Sequence, residues 1–266
     1  AFMNSIGVRL RQVYGSTEGG MISGHRSDNI QPRTIGPPLP GVEVRISKDG
    51  EILIRSPYLF SGLHKNQEAY EKTVRNGWWY SGDAGTIDEQ GHLVYMDRVS
   101  ELAQLSSGEK YAPQWIESSL RFSPYIKDSI TIGEGKEFVT AIINMDYENV
   151  GRWAERNHIP YTTFTDLSQK AEVSKLVRQD IDRVNRQLSP ATKIRKYVLL
   201  HKEFDPDEAD LTRTRKLRRT AMEKRYNDVI EALYSRKRSI SVTSEFTYED
   251  GRKGKVSAEL VIYSVE

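Results

Sequence analysis

The 266-residue sequence has no cysteine, which excludes disulfides and thiolate metal sites and fits a reducing compartment. It has no run near the roughly 18 apolar residues of a membrane span. No basic stretch leads into an apolar core at its start, so no secretory signal is visible. Histidine is sparse: His25, His64, His92, His158 and His201 are scattered, and no pair has helical ligand spacing. A structural zinc site is therefore not expected. No GxxxxGK[ST] phosphate loop occurs anywhere. The formal net charge is only +2, which argues against a general attraction to nucleic acid.

Charge is nevertheless unevenly placed. Residues 203–210, EFDPDEAD, hold five acids, and residues 212–225, TRTRKLRRTAMEKR, hold seven bases and one acid. Such a reversal reads as a solvated loop entering a helix, or as a loop that offers a cation to a phosphate. The acidic neighbour and the lack of interleaved aromatics count against a nucleic-acid interface.

Residues 36–98 alternate short strands with turns. Val42–Ile46 and Glu51–Arg55 flank Lys48-Asp49-Gly50, and Gly85–Ile87 and His92–Met96 flank Asp88–Gly91. Both are hairpin signals. Gln67–Val74 has helical character between them. The block reads as a small antiparallel β subdomain, barrel-like in outline. From about residue 99 the pattern becomes mixed α/β. Strands are expected at 129–132, 138–143 and 197–200, and helices at 113–117, 147–157, within 166–188, and at 217–234. In the longest helix Val173, Val177, Ile181, Val184 and Leu188 form a core stripe. A terminal hairpin, 240–248 with 256–265, turns at Asp250-Gly251.

Four short stretches carry chemistry. In the first, a strand-like run from Val8 enters Tyr14-Gly15-Ser16-Thr17-Glu18-Gly19-Gly20. Its glycines let backbone approach a ligand, and its hydroxyls and carboxylate suit phosphate and a hard cation such as Mg²⁺. The plain alternative is a glycine-rich turn. The second, Gly77-Trp78-Trp79-Tyr80-Ser81-Gly82-Asp83, places a carboxylate on a turn, where it can accept from vicinal hydroxyls or simply cap the turn. The third is Asp97-Arg98, followed by Ser106-Ser107-Gly108-Glu109-Lys110-Tyr111-Ala112-Pro113. Arg98 there is a brace between domains or a grip on a nucleotide. The fourth is Leu211-Thr212-Arg213-Thr214-Arg215-Lys216-Leu217-Arg218-Arg219, otherwise a solvated basic helix start.

In this order and spacing the four stretches resemble the acyl-adenylate-forming superfamily. YGSTE is similar to its Tyr-Gly-x-Thr-Glu motif, and GWWYSGD to its Gly-Trp-x-x-Thr/Ser-Gly-Asp motif. DRVSELAQLSSGEKYAPQWIE resembles its hinge and following loop, and LTRTRKLRR its carboxy-terminal lysine motif. The form of GEKYAPQWIE and of Leu-Thr-x-Thr-x-Lys is most similar to the long-chain fatty acyl-CoA synthetase branch. The resemblance covers residues 7 to about 234.

It implies an α/β (α+β) chain in four parts. Residues 1–35 would end a large nucleotide-binding domain, 36–98 form its β subdomain, 99–234 form a mobile α/β lid, and 235–266 form a basic segment plus hairpin. It further implies ATP or AMP as the nucleotide, Mg²⁺, and fatty acid and CoA as partners. Thr17 would bond the α-phosphate and Glu18 would hold Mg²⁺. Tyr14 would lie against adenine, within a cofactor-binding set that includes Gly15, Ser16 and Tyr95. Asp83 and Arg98 would bond the ribose, and Lys216 would stabilise charge on the carboxylate and α-phosphate oxygens. Gly108, Glu109 and Lys110 would serve thioester formation, with Arg98 and Ser100 at the hinge.

The chain departs from the pattern at Ser100, commonly Asp or Lys, at Gln104, often Lys, and at Thr214-Arg215, commonly Ser-Gly. The family's phosphate loop and most of its acyl pocket lie upstream of Tyr-Gly-x-Thr-Glu. The chain therefore reads as the carboxy-terminal part of a synthetase, not expected to turn over alone. The competing readings are a ligase that loads a carrier protein, and a non-catalytic nucleotide-binding remnant. Localisation is expected to be cytoplasmic. The Ser235–Ser239 segment reads as part of a cap on the small domain, preferred over a peripheral contact at the inner membrane surface because three bases are few.

Overall fold

The computed structural model describes the chain apart from residues 1, 2, 4, 5, 27, 28, 32, 205–218, 248–252 and 266, and only the backbone of 244–247 and 253–256. The expected basic stretch at 211–218 and the Asp250-Gly251 turn lie outside the described residues. The chain divides into two compact units, residues 1–102 and 103–266.

The first unit opens with an antiparallel hairpin, β1 (Val13–Ser16) and β2 (Gly20–Gly24). The strand expected from Val8 starts only at Val13. Val8 and Leu10 are exposed, so no buried face sets a register before that point. Next come β3 (Glu43–Ile46), β4 (Glu51–Arg55), α1 (Gln67–Thr73), β5 (Val74–Arg75), β6 (Trp78–Ile87) and β7 (Leu93–Arg98). Both expected hairpins are present, β3 with β4 and β6 with β7. The Asn66 side chain caps α1 by accepting from the Ala69 N–H at 3.2 Å.

The barrel-like outline is not found. Among the described residues the sheet is open, in the order β3-β4-β6-β5, with β7 on the far half of β6. One half of β6 pairs with β5 and the other with β7, and no described strand returns to the β3 edge. Ile22, Val42, Ile52, Ile54, Trp79 and Leu93 form the core of this unit. A 3₁₀ turn, Val99–Glu101, follows β7.

In the second unit a short pair, β8 (Ala103–Gln104) and β9 (Lys110–Tyr111), leads into α2 (Pro113–Leu120). Then follow β10 (Ile126–Ile132), β11 (Val139–Met145), α3 (Tyr147–Arg156), α4 (Phe164–Ser168), α5 (Ala171–Asn185) and β12 (Ile194–Leu199). Strands β11 and β12 are parallel, which requires the crossover that α3 to α5 provide. All of β11 is buried, as befits a strand covered on both faces. Val139, Ala141, Ile143 and Met145 join one cluster with Val173, Val177, Ile181 and Val184 of α5. Ile142 points to the opposite cluster, with Val198, Val229 and Leu233. The α5 stripe is thus core.

The single helix expected over 217–234 is instead two, α6 (Arg219–Arg225) and α7 (Asn227–Tyr234). They break at Tyr226, a buried residue beside Phe204. The chain closes with β13 (Ser239–Thr247), β14 (Lys253–Val261) and β15 (Tyr263–Ser264). Ala258, Leu260 and Ile262 enter the second cluster and β15 pairs with β12, so this extension is built into the unit's core. No described helix is long and apolar enough to cross a membrane.

Candidate nucleotide site

The glycines of the first stretch do steric work. A Cβ on Gly15 would stand 2.5 Å from the Gly20 carbonyl oxygen across the hairpin. One on Gly19 would stand 2.8 Å from Cζ3 of Trp79. Glycine there lets the tryptophan of the second stretch press directly on the turn that carries Ser16, Thr17 and Glu18. The Ser16 hydroxyl accepts from the Gly19 N–H at 3.0 Å, and the Phe60 N–H donates to the Glu18 carbonyl at 2.8 Å. The turn is tied down, with Thr17 exposed and Glu18 half-buried.

Asp83 is not on a turn, as expected, but within β6. Pairing with β4 slips there: Leu53 faces Tyr80, whereas Glu51 faces Ala84. Gly82 occupies the resulting bulge at φ +72°, a conformation that glycine adopts at little cost. The bulge is pinned on three sides. The Gly82 N–H donates to Glu51 Oε1 at 2.9 Å, Ser81 Oγ donates to the Ile52 carbonyl at 2.8 Å, and the Asp83 N–H donates to Ser81 Oγ at 3.1 Å. Bulges re-aim side chains, and this one brings the Asp83 carboxylate to Tyr14.

There the Tyr14 hydroxyl donates to Asp83 Oδ2 at 2.5 Å, and Arg98 Nη1 meets Asp83 Oδ1 at 2.9 Å. Arg98 also donates to the Ser81 carbonyl at 3.3 Å. The Tyr95 ring lies 6.2 Å from that of Tyr14, tilted by 39°. Burial, followed by the hydrogen bond to Asp83 and its charge, pushes the Tyr14 phenol far above its ordinary range, so it remains a donor. Burial and then the Asp83 charge also raise Tyr95. Four residues taken from three separate stretches thus converge: Tyr14, Asp83, Tyr95 and Arg98.

An ionised carboxylate offers about four acceptor positions, and Tyr14 and Arg98 use one on each oxygen. The remaining positions suit the paired hydroxyls of a ribose. Among the described residues no three His, Asp or Glu side chains gather as a metal cage. Glu18 alone fits a Mg²⁺ that keeps its waters and is held mainly by phosphate oxygens.

The other expected residues lie elsewhere. Ser100 is exposed in the 3₁₀ turn. Gly108, at φ +91°, lies with exposed Glu109 and Lys110 at the β8–β9 connection. Gln104 donates from Nε2 to the Gly108 carbonyl at 2.9 Å. Lys216 lies outside the described residues. The sequence reading missed Glu51 and gave no separate role to Trp79 and Ser81 of the second stretch, all of which support the site. A glycine between Ser81 and Asp83 in an otherwise strand-like run was the available signal.

A family model, the AMP-binding enzyme C-terminal domain, matches residues 101–238. The long-chain-fatty-acid–CoA ligase FadD15 of Mycobacterium tuberculosis is 31% identical over 238 residues, covering 88% of this chain and 40% of that protein. Long chain acyl-CoA synthetase 2 of Arabidopsis thaliana is 29% identical over 252 residues, covering 87% and 38%. The chain therefore spans about 40% of the length of these curated relatives. Among solved structures, apo MatB from Rhodopseudomonas palustris superposes with a TM-score of 0.60 at 22% identity, covering 84% of this chain and 42% of that one. The adenylation domain of a carboxylate reductase from Mycobacterium chelonae gives 0.53 at 21%, covering 88% and 36%. The α/β architecture of the chain is that of these two structures.

Proposed function

The chain belongs to the AMP-binding enzymes, and from that premise we propose that it is the nucleotide-gripping and lid portion of an ATP-dependent fatty acyl-CoA synthetase. In the reaction a fatty carboxylate attacks the α-phosphate of ATP, giving acyl-adenylate and pyrophosphate. The CoA thiol then attacks the acyl carbon, AMP leaves, and the thiol proton passes to solvent. The observation that carries this reading is the Tyr14–Asp83–Arg98 cluster beside the glycine-bound hairpin. The names of the relatives above support the fatty substrate and CoA.

Asp83 and Arg98 hold the ribose, with Tyr14 and Tyr95 offering aromatic surface to the adenine. The Ser16–Thr17–Glu18 turn faces the phosphates, Thr17 donating to the α-phosphate. Mg²⁺ on Glu18 would neutralise phosphate charge. Lys216 acts in adenylation, and Gly108, Glu109 and Lys110 in thioester formation, the exchange between them turning on Arg98 and Ser100.

The test is ATP–pyrophosphate exchange with a panel of fatty acids, run on the protein that carries this sequence and on its Lys216→Ala variant. Exchange that depends on Mg²⁺ and is lost in the variant supports the reading. No exchange with any carboxylic acid overturns it.

A further inference from the structure

Residues 34–37 lie between the glycine-rich hairpin and the start of β7. On one side the Gly24 N–H donates to the Pro37 carbonyl at 3.2 Å. On the other, the Ile35 N–H donates to the Leu93 carbonyl at 2.8 Å and the Leu93 N–H to the Gly36 carbonyl at 2.9 Å. The junction is tight: a Cβ on Gly36, at φ +78°, would stand 2.4 Å from the Gly24 carbonyl oxygen. Two histidines border it, His25 directly after β2 and His92 directly before β7.

Both rings turn to one hydroxyl, and all three side chains are buried. His25 Nε2 lies 3.0 Å from Thr34 Oγ1, and His92 Nδ1 lies 3.1 Å from the same oxygen. Thr34 Oγ1 also donates to the Gln31 carbonyl at 3.2 Å and accepts from the Gly36 N–H at 3.3 Å. The Gln12 N–H donates to His25 Nδ1 at 3.2 Å, which places the proton of a neutral ring on Nε2, toward Thr34. A second proton would set Nδ1–H against the Gln12 N–H, donor facing donor. The geometry therefore calls for an uncharged His25.

Burial lowers the His25 imidazole below the ordinary histidine range; a Gln31 backbone hydrogen bond opposes this, and His92 adds to it. Among the described residues His92 is the titratable side chain against His25, its ring in edge contact at 6.0 Å. Asn29 Nδ2, 3.3 Å from His92 Nε2, is neutral, and the flanking Arg26 and Arg33 are exposed.

We propose that Thr34 is a positioning residue for the nucleotide site: its hydroxyl ties the hairpin that carries Tyr14 to the strand that carries Tyr95 and Arg98. Backbone bonds set these segments side by side. The buried hydroxyl adds direction, because a polar network of this kind is satisfied in one arrangement. The inference rests on the nucleotide reading given above, and it does not require Thr34 to touch the ligand. Acid releases the tie by charging His25.

Hydrogen exchange on the full 266-residue chain tests the tie without a ligand. In Thr34→Val, which keeps the shape but not the hydroxyl, the amides of Gly24, Ile35 and Leu93 should exchange about tenfold faster through local opening. Amides of the β3–β4 ladder should not change, and Thr34→Ser should restore the wild-type rates. Uniform quickening across the unit, or none at those three amides, overturns the tie.

Calorimetry with AMP tests the positioning. Under conditions where each variant is folded, Thr34→Val should weaken AMP about fivefold and Thr34→Ser by less than about twofold. A hydroxyl that served stability alone would leave the affinity of the folded chain unchanged, and that result overturns the role. His25→Asn keeps an acceptor for Gln12 but neither titrates nor reaches Thr34. Its dissociation constant divided by that of the wild type should fall from about fivefold toward one as pH drops through the ordinary histidine value and below. The ratio cancels the titration of AMP itself, and a ratio independent of pH overturns the requirement for a neutral His25. No AMP binding by the wild type would overturn the nucleotide reading instead, and with it the positioning role, while hydrogen exchange still decides the tie.

Discussion

The hydroxyl of Tyr14 donates to the carboxylate of Asp83 across 69 positions of sequence, at 2.5 Å. That bond joins the glycine-rich hairpin to the bulged centre of β6. Asp83 is only 8% exposed, and a buried carboxylate needs hydrogen-bond donors to offset its desolvation. Tyr14 and Arg98 meet that need, one on each carboxylate oxygen.

Tyr14→Phe removes one donor from a buried carboxylate, and should cost about 1–2 kcal/mol of stability. Urea denaturation of the chain provides the check. AMP affinity, measured by calorimetry, should weaken severalfold. Unchanged stability and affinity would mean that the bond contributes nothing.

Arg98→Ala separates binding from folding. The Arg98 side chain is 61% exposed, so solvent screens the ion pair and its loss should cost under about 1 kcal/mol of stability. AMP affinity should nevertheless fall by about tenfold, or about 1.4 kcal/mol, if Arg98 bonds the ribose. An unchanged dissociation constant would leave Arg98 as a brace only.

Gly19→Ala drives a methyl group to 2.8 Å from the Trp79 ring and 3.0 Å from Ile22 Cδ1. Overpacking of this kind costs about 1–3 kcal/mol. A lowered denaturation midpoint should accompany a displaced Ser16–Glu18 turn. Gly50→Ala meets no neighbouring atom within 4 Å but has φ +83°, so its smaller cost of about 1 kcal/mol comes from backbone strain alone.

Glu117 supplies a pH dependence. Burial holds its carboxyl above the usual range, outweighing Arg219 and the Thr131 hydrogen bonds, which pull it down. Between the ordinary glutamate value and this raised one, the folded chain binds more protons than the unfolded chain. This site's contribution is therefore fullest below the ordinary value and declines as pH rises through the raised one. Denaturation midpoints taken across that range should fall more steeply with pH in the wild type than in Glu117→Gln. Parallel curves would refute the sign.

Ile143→Ala, in the strand buried on both faces, should cost about 2–5 kcal/mol through cavity formation. A smaller cost would mean that the cluster around α5 relaxes into the space.

The hairpins at 43–55 and 78–98 were legible because their turns and alternation are local properties. The α5 stripe was legible for the same reason, its spacing projecting three valines and an isoleucine onto one face. The break at Tyr226 was not. Apolar spacing runs through it unbroken, whereas the contact of Tyr226 with Phe204 is a tertiary one. Barrel closure was also beyond local pattern, since it depends on which strand meets the β3 edge.

The site divides in the same way. Residue types and order along the chain singled out Tyr14, Asp83, Tyr95 and Arg98 as candidates for nucleotide chemistry, because a carboxylate, a phenol and a guanidinium have their donors and acceptors wherever they stand. Tertiary structure decided that Asp83 faces Tyr14 from a bulged strand, and that Trp79 packs on Gly19. It likewise decided that Glu117 closes on Arg219, 102 positions away. Those relationships depend on register and on contacts between distant segments, for which period and propensity carry no signal.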